Sequence, residues 1–258
     1  MITDWPLFNR IIFYPRTTEI KPSFPVDVEG ISLGCHMQRP FPDAGVVLYF
    51  HGNGELAAEC DRFLARMFLD MGINVCFVEY RGYGASGGTP SLAAMLGDGE
   101  RVVEALGIPH DRIVAFGRSI GSLYAIELAR RLPRLGGLIL ESGIANLLDL
   151  SPIKAWGTLG KCISKAAVKL TPFNNQAKMK SFNRPVLILH TEGDYLVPRS
   201  HADRLYAWSR SPEKRLVMFP NGDHNSILNA NAAEYVESVG GFLRGVGITS
   251  ELKGQGES

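Results

Sequence analysis

The sequence predicts an α/β protein in which helices flank a mostly parallel β-sheet. Six short stretches are almost continuously apolar, which is typical of strands that are buried on both faces. Stretches with the apolar spacing of helices alternate with them, and this alternation indicates β-α-β crossovers. The chain has 258 residues and is 45% apolar, so it is long enough to form one large domain.

The predicted elements begin with an antiparallel hairpin over residues 26–37, which turns at Glu29 and Gly30 and lies at a sheet edge. The buried strands are then expected, in chain order, at residues 45–50, 73–80, 112–117, 137–142, 185–190 and 215–220. Helices are expected at residues 56–71, 92–106, 122–132, 200–209 and 232–243.

One connection, residues 143–184, is far longer than an ordinary link between two strands. We interpret it as a small inserted cap with its own helix at residues 161–170. Residues 1–250, including this cap, are expected to form a single domain. Residues 251–258 are expected to form a polar C-terminal tail.

Composition excludes several function classes. The 27 Lys and Arg residues nearly balance 26 Asp and Glu residues, which argues against a dedicated nucleic-acid binder. The four cysteines lie far apart without metal-binding spacing, so the sequence indicates neither a metal site nor a disulfide framework, and we expect no cofactor. Free thiols favour a cytoplasmic location. No apolar run approaches the length of a membrane span.

The candidate nucleophile is Ser119, in the stretch Gly117-Arg118-Ser119-Ile120-Gly121. This stretch matches G-x-S-x-G and joins a predicted strand to a predicted helix, which is the context that a nucleophile elbow requires. Glycines two residues on either side leave room for a tight turn that exposes the serine. The alternative is a serine that only caps the helix.

A serine hydroxyl needs an adjacent base and an acid that orients the base. His224 is the candidate base, because it alone among six histidines follows the last strand in a polar loop. Asp194 follows the preceding strand and is the candidate acid, with Glu141 as the main alternative. Glu192 and Asp223 are weaker candidates, since Glu192 suits a turn and Asp223 adjoins the histidine.

The oxyanion of an acyl-transfer intermediate needs two fixed N–H donors. The backbone amide of Ile120, which follows the candidate nucleophile, is expected to supply one. The loop after the first buried strand, Gly52-Asn53-Gly54, is expected to supply the other. We favour the Asn53 amide, with Gly54 as the alternative.

A second glycine-rich stretch, residues 82–87, matches the dinucleotide-binding pattern G-x-G-x-x-G. Pro90 follows before any helix can begin, and no acidic residue ends the next strand where a ribose would need one. Both features argue against a dinucleotide site, and titration with nicotinamide and flavin cofactors would test this alternative.

The stretch from residue 150 to residue 191 contains no acidic residue and is rich in positive charge. Lys161, Lys165 and Lys169 share one face of the predicted cap helix. They are either an ordinary solvated face or a site that contacts an anionic surface or acidic substrate, and this second possibility is the hypothesis we carry. The other basic residues of the stretch are Lys154, Lys178, Lys180 and Arg184.

The ordered motifs HGNGE, EYRGYGASGG, FGRSIGS, HTEGDYLVP and FPNGDHN resemble those of the α/β-hydrolase superfamily. More narrowly, they resemble the Bem46-like serine hydrolases, a group that includes alpha/beta hydrolase domain proteins 13 and 17. The resemblance covers about residues 8 to 245. It implies an α/β-hydrolase fold with an eight-stranded sheet and a triad of Ser119, Asp194 and His224.

The function predicted from residues and resemblance together is a serine hydrolase that cleaves carboxylic ester or thioester bonds in a small-molecule or acylated substrate. The alternatives are an acyl-protein thioesterase, as the domain 17 relatives imply, or a peptidase. An alternative from another class is a non-catalytic interaction protein on the same fold.

Overall fold

The structure is a computed structural model that describes residues 9, 12–150 and 173–250. Its sheet begins with β1 (Phe24–Val28) and β2 (Ile31–Gln38), which pair antiparallel. Glu29 and Gly30 link them with φ values of 55° and 81°, so both adopt the left-handed conformation that two-residue hairpin turns need. The predicted hairpin and its turn are confirmed.

The remaining strands form the parallel part of the sheet, and β2 joins it by pairing antiparallel with β4. The sheet has eight strands in the order β1-β2-β4-β3-β5-β6-β7-β8, which confirms the predicted α/β class and strand number. The strands are β3 (Val46–Phe50), β4 (Asn74–Val78), β5 (Ile113–Arg118), β6 (Gly137–Glu141), β7 (Val186–Thr191) and β8 (Lys214–Phe219).

The described α-helices are α1 (Ala57–Asp70), α2 (Asp98–Leu106), α3 (Gly121–Arg131), α4 (Asn175–Ser181), α5 (Ser200–Trp208), α6 (Ile227–Ala230) and α7 (Ala232–Gly245). The helix expected at residues 92–106 is divided into a 3₁₀ turn, Ala94–Leu96, and α2. Asp98 begins α2 and pairs with Arg81 at 2.7 Å, so the first turn is anchored to the loop after β4. None of the helices described is long and apolar enough to cross a membrane.

Both faces of the sheet are buried, as continuous apolar strands require. Val46, Leu48 and Ala115 face a core that α2, α3 and α5 complete. Val47 and Phe116 face a second core that α1 and α7 complete. Because side chains alternate along each strand, a residue's position in β5 decides which of the two cores it joins.

The carboxyl ends of the parallel strands meet at one edge of the sheet. The register pairs Phe50 of β3 with Gly117 of β5, and Arg118 of β5 with Glu141 of β6. Loops that leave these ends therefore converge, which is where open parallel sheets place their ligands.

The inserted segment is described only at its two ends. Helix α4 lies near the end of it and packs against α3, where Lys178 Nζ lies 2.8 Å from Glu127 Oε2. Both side chains are buried, so Lys178 does not belong to an exposed basic surface, as its place in the basic stretch suggested. The helix predicted at residues 161–170, with its three lysines, lies outside the described residues.

Candidate active site

Ser119 lies in the tight turn between β5 and α3. Its φ is +53°, a left-handed conformation that is uncommon for residues other than glycine. Its backbone N–H donates to the carbonyl of Glu141 at 2.9 Å, so the turn is fixed to the next strand. The residue is half-buried at the carboxyl edge of the sheet.

The two glycines that flank Ser119 are required by close backbone contacts. A Cβ at Gly117 would lie 2.5 Å from Cα of Ser122, and a Cβ at Gly121 would overlap the carbonyl oxygen of Phe50. The turn therefore packs directly against the end of β3. The G-x-S-x-G spacing has the steric origin that the sequence indicates.

His224 lies in the loop after β8, as the sequence predicts. Its Nε2 lies 2.9 Å from Oγ of Ser119, although the two residues are 105 positions apart in the chain. The imidazole is buried, with 6% of the side chain exposed. Its backbone carbonyl accepts a hydrogen bond from Arg118 at 3.0 Å, which ties the loop to β5.

Asp194 completes a hydrogen-bonded chain of three side chains. Its Oδ2 lies 2.8 Å from Nδ1 of His224, and its Oδ1 accepts the backbone N–H groups of Leu196 at 3.0 Å and Val197 at 2.8 Å. Burial alone would raise the pKa of this carboxyl, but the hydrogen bond and charge of His224 lower it overall. Because a carboxylate only accepts, Nδ1 carries the proton and Nε2 is left to accept from Ser119.

The other candidate acids lie elsewhere. Glu141 binds Arg118 at 2.9 Å and does not reach His224. Glu192 pairs with Arg199 at 3.2 Å on the surface. Asp223 accepts from the side chain and backbone of Ser226 within its own turn. Among the acids the sequence offered, the geometry selects Asp194.

The two candidate oxyanion donors lie on neighbouring loops. Ile120 directly follows Ser119, and the loop of Asn53 follows the β3 end that packs against Gly121. Within the described residues, neither the Ile120 nor the Asn53 backbone N–H has a protein acceptor. The Asn53 side chain is fixed separately, because its Oδ1 accepts from Tyr83 at 2.8 Å. Gly54, the alternative donor, has a φ of +77°.

A buried pair supports the loop that holds Asn53. His51 Nε2 lies 2.8 Å from Glu79 Oε1, and both side chains are almost fully buried. Burial lowers the pKa of His51, but the Glu79 carboxylate raises it overall. Glu79 also accepts the backbone N–H of Ala57 at 3.0 Å, so this pair links β4, the β3 loop and α1. Its contacts are with the scaffold, away from Ser119.

The glycine-rich stretch at residues 82–87 forms a turn that leads into no helix. A Cβ at Gly84 would overlap the Glu79 carboxylate, so this glycine is needed for packing beside the buried pair. The stretch follows β4 but does not open a helix, whereas the dinucleotide-binding pattern lies between a strand and the start of a helix.

Sequence reasoning missed a charged cluster beneath the site. Arg118, the residue before the candidate nucleophile, contacts both Glu55 and Glu141. The sequence indicates Glu141 only as a candidate catalytic acid and makes no prediction for Glu55. The signal in the sequence was an arginine and a glutamate at the ends of consecutive predicted strands.

Comparison with known proteins agrees with this fold. The family described as serine aminopeptidase, S33, matches residues 42–181. The chain is 30% identical over 214 residues to the alpha/beta hydrolase domain-containing protein WAV2 of Arabidopsis thaliana. The alignment covers 76% of this chain and 69% of that protein. It is 31% identical over 207 residues to protein bem46 of Schizosaccharomyces pombe, covering 76% of this chain and 66% of that protein. The chain thus spans about two thirds of the length of these relatives.

Solved structures show the same architecture. A monoacylglycerol lipase from Paleococcus ferrophilus aligns with a TM-score of 0.69 at 19% identity, covering 83% of this chain and 99% of that one. The Pyrococcus furiosus esterase Pf2001 aligns with a TM-score of 0.71 at 20% identity, covering 90% of this chain and 98% of that one. The fold is therefore that of the α/β hydrolases.

The family match and the sequence relatives identify the family within the α/β hydrolases. The chain belongs to the serine aminopeptidase S33 family of α/β hydrolases, as a Bem46-like member. The resemblance predicted from its motifs is confirmed.

Proposed function

We propose that this chain is a serine hydrolase that cleaves carboxylic ester or thioester bonds through an acyl-enzyme. Ser119 is the nucleophile, His224 the general base and acid, and Asp194 the residue that orients the imidazole. The Ile120 and Asn53 amides form the oxyanion hole. The observation that carries the proposal is the hydrogen-bonded chain from Ser119 Oγ to His224 Nε2 at 2.9 Å and from Nδ1 to Asp194 at 2.8 Å.

The reaction has two stages. Nε2 of His224 takes the hydroxyl proton as Oγ of Ser119 attacks the carbonyl carbon, and the carbonyl oxygen becomes an oxyanion between the two amides. The intermediate collapses with loss of an alcohol or thiol, to which His224 returns the proton, and leaves an acyl-enzyme. Water then attacks that ester with its proton going to His224, and the acid is released as Oγ regains a proton.

The left-handed backbone of Ser119 supports this role. Such strain is tolerated where the surroundings determine the conformation, and it clusters at active sites. Here, the turn holds the hydroxyl away from the chain and against His224. A serine that only capped α3 would accept a backbone N–H of the first turn, but among the described residues the hydroxyl of Ser119 has His224 as its hydrogen-bond partner.

The structural relatives favour an acyl substrate. Two of the solved structures that share the fold are described as a monoacylglycerol lipase and an esterase. A thioester has the same electrophilic carbonyl and a better leaving group, so the same chemistry serves it. The family description, serine aminopeptidase, keeps a peptide substrate as the competing choice.

The first test is covalent labelling with a fluorophosphonate. We expect intact-mass analysis to show one adduct on the wild-type chain and none on Ser119→Ala, with circular dichroism unchanged. Ser119→Ala should also lose nearly all turnover of a short p-nitrophenyl ester. Full turnover in this variant would rule out Ser119 as the nucleophile. A wild-type chain that is neither labelled nor active would favour the non-catalytic interaction protein instead.

A second test separates the substrate classes. The wild-type chain is assayed against a chain-length series of p-nitrophenyl esters, the matching acyl thioesters and N-terminal aminoacyl amides. We expect ester or thioester turnover to exceed amide turnover. A preference for the aminoacyl amides would assign the chain as a peptidase that uses the same three residues.

A further inference from the structure

The guanidinium of Arg118 lies beneath the loop that carries His224. Arg118 follows Val114 and Phe116 at alternate positions of β5, so its side chain leaves the sheet on the side of α1 and α7. The side chain is only 12% exposed. It is therefore a buried cation next to the candidate nucleophile, although it points away from the face where Ser119 meets His224.

Each nitrogen of the guanidinium has a different partner. Nε donates to Glu141 at 2.9 Å and Nη1 donates to Glu55. Nη2 donates to the backbone carbonyl of His224 at 3.0 Å, with a longer contact of 3.4 Å to the side chain of Asn225. One planar group thus joins the end of β6, the loop before α1 and the histidine loop.

Glu55 extends this connection to the loop of the candidate oxyanion donor. Its second oxygen accepts the backbone N–H of Gly52 at 2.8 Å. A Cβ at Gly52 would lie 2.5 Å from Nη1 of Arg118, so the backbone passes directly over the guanidinium. The position of the next residue, Asn53, is therefore set through Glu55 and Arg118.

Glu141 anchors the other side of the cluster. Its second oxygen accepts from the hydroxyl of Tyr235 on α7, and its backbone carbonyl accepts the N–H of Ser119. Burial lowers the pKa of Arg118, but the charges of Glu55 and Glu141 raise it overall, so the guanidinium stays charged. Removing it would leave two carboxylates together in a partly buried site, which is strongly unfavourable.

We propose that Arg118 is a positioning residue that sets the distance between the histidine loop and the oxyanion loop. The proposal rests on the proposed function and adds a determinant of its geometry. A displacement of about 1 Å at the reacting groups can cost about 10²-fold in rate. Loss of the Arg118 guanidinium should therefore lower kcat, while binding of the substrate is affected little.

The cluster forms the floor of an open cavity of about 480 Å³ between α1 and α6. This opening makes a chemical-rescue experiment possible, because a small cation added to the solution can reach the space that Arg118→Ala would vacate. The apolar walls are Phe63, Leu64 and Met67 of α1 and Ile227 and Leu228 of α6.

The test measures kcat and KM of Arg118→Ala for a short p-nitrophenyl ester, without and with guanidinium at concentrations far below those that unfold the chain. We expect kcat to fall by about 10²-fold with little change in KM. Guanidinium should restore part of kcat in a saturable manner. Urea and sodium chloride at the same concentrations should restore none, since neither combines the charge with the planar set of donors.

Arg130→Ala is the matched control. Arg130 donates through two nitrogens to one carboxylate, that of Glu127 on α3, and within the described residues it makes no hydrogen bond to the histidine loop or the oxyanion loop. We expect this variant to keep the wild-type kcat and to show no response to guanidinium. A wild-type kcat in Arg118→Ala, or an equal loss in Arg130→Ala, would overturn the positioning role.

Two milder variants cover the case in which Arg118→Ala does not fold. Arg118→Lys keeps the charge without the fork, and Glu55→Gln weakens the link to Gly52. Both should lower kcat at nearly constant KM, and both should slow labelling by a fluorophosphonate. Wild-type kcat in both variants would overturn the proposal even without data on Arg118→Ala.

The outcome for Ser119→Ala separates this proposal from the function on which it rests. If Ser119→Ala keeps its turnover, the proposed function is wrong. If Ser119→Ala is inactive while the Arg118 and Glu55 variants match the wild type, only the positioning role is wrong.

Discussion

The Asp194 carboxylate binds Nδ1 of His224 through one oxygen and two backbone N–H groups through the other. The backbone groups hold the acid in place before any substrate arrives. The imidazole is then held in one tautomer, with Nε2 directed at Ser119.

Asp194→Asn should lower kcat by about 10⁴-fold with the fold retained, because an amide can donate to Nδ1 and so stabilise the wrong tautomer. The measurement is steady-state hydrolysis of a p-nitrophenyl ester, with circular dichroism as the check on folding. Glu192→Gln is the control, since Glu192 forms only an exposed pair with Arg199. Wild-type turnover in Asp194→Asn would remove this residue from the triad.

Gly121→Ala should destabilise the chain by about 1–3 kcal/mol or more, because the new Cβ would overlap the carbonyl of Phe50 where the turn packs against β3. Urea unfolding measures this loss. Gly245→Ala is the control, since no atom lies within 4 Å of a Cβ at Gly245. Its unfolding free energy should be unchanged or raised by up to about 1 kcal/mol. Equal stability of the two variants would contradict the steric account of the elbow.

The contact between α3 and α4 should become less stable at acid pH. Burial raises the pKa of Glu127, but Arg130 and Lys178 lower it more, to about 2 from an ordinary value of 4.5. Because the folded-state pKa is the lower one, the stabilisation is present above pH 4.5 and is lost as the pH falls towards 2.

Urea unfolding at a series of pH values from neutral to acid tests this dependence. The free energy of unfolding of Glu127→Gln should fall less on acidification than that of the wild type. Glu104→Gln, which removes an exposed partner of Arg101, should follow the wild-type curve. Parallel curves for the wild type and Glu127→Gln would contradict the assigned pKa.

We propose that the basic stretch, residues 150–191, contacts an anionic surface. Because Lys178 is buried against Glu127, it is left out of the set of lysines to be replaced. Replacing Lys154, Lys161, Lys165 and Lys169 together by Gln should weaken sedimentation with phosphatidylserine vesicles. The reason is that each cation near such a surface contributes about 1 kcal/mol. Unchanged vesicle binding, with equal turnover of anionic and neutral esters, would show that the lysines form an ordinary solvated face.

Lys178→Gln is the control for that experiment. Because Lys178 is buried against Glu127, its replacement should lower the free energy of unfolding and leave vesicle binding as in the wild type.

The strands and the serine turn could be predicted because their signals are local. Apolar runs of five or six residues mark β3, β5 and β7 on their own, and the glycines around Ser119 reflect contacts within the same turn and with one neighbouring strand. His224 was found by its place after the last strand. Parallel topology brings such loop positions to one edge, so chain order alone was informative.

The contacts that cross between helices could not be predicted. Lys178 lies in a run of positive charge, and composition treats such a run as solvated, yet α4 turns this one lysine onto Glu127. Glu55 and Arg118 are 63 positions apart. Their pairing depends on how far α1 is set from β5, which no local pattern encodes. The ion pair of Arg81 with Asp98, at the start of α2, likewise joins residues that are distant in the chain.

The sheet ends on both sides in strands that are poorly suited to pairing with another copy of the chain. Strand β1 carries Pro25, which lacks an N–H, and Asp27, which is exposed. Strand β8 begins with Lys214 and Arg215. Charges and proline at outer strands oppose edge-to-edge aggregation. The sheet can therefore have two open edges without closing into a barrel.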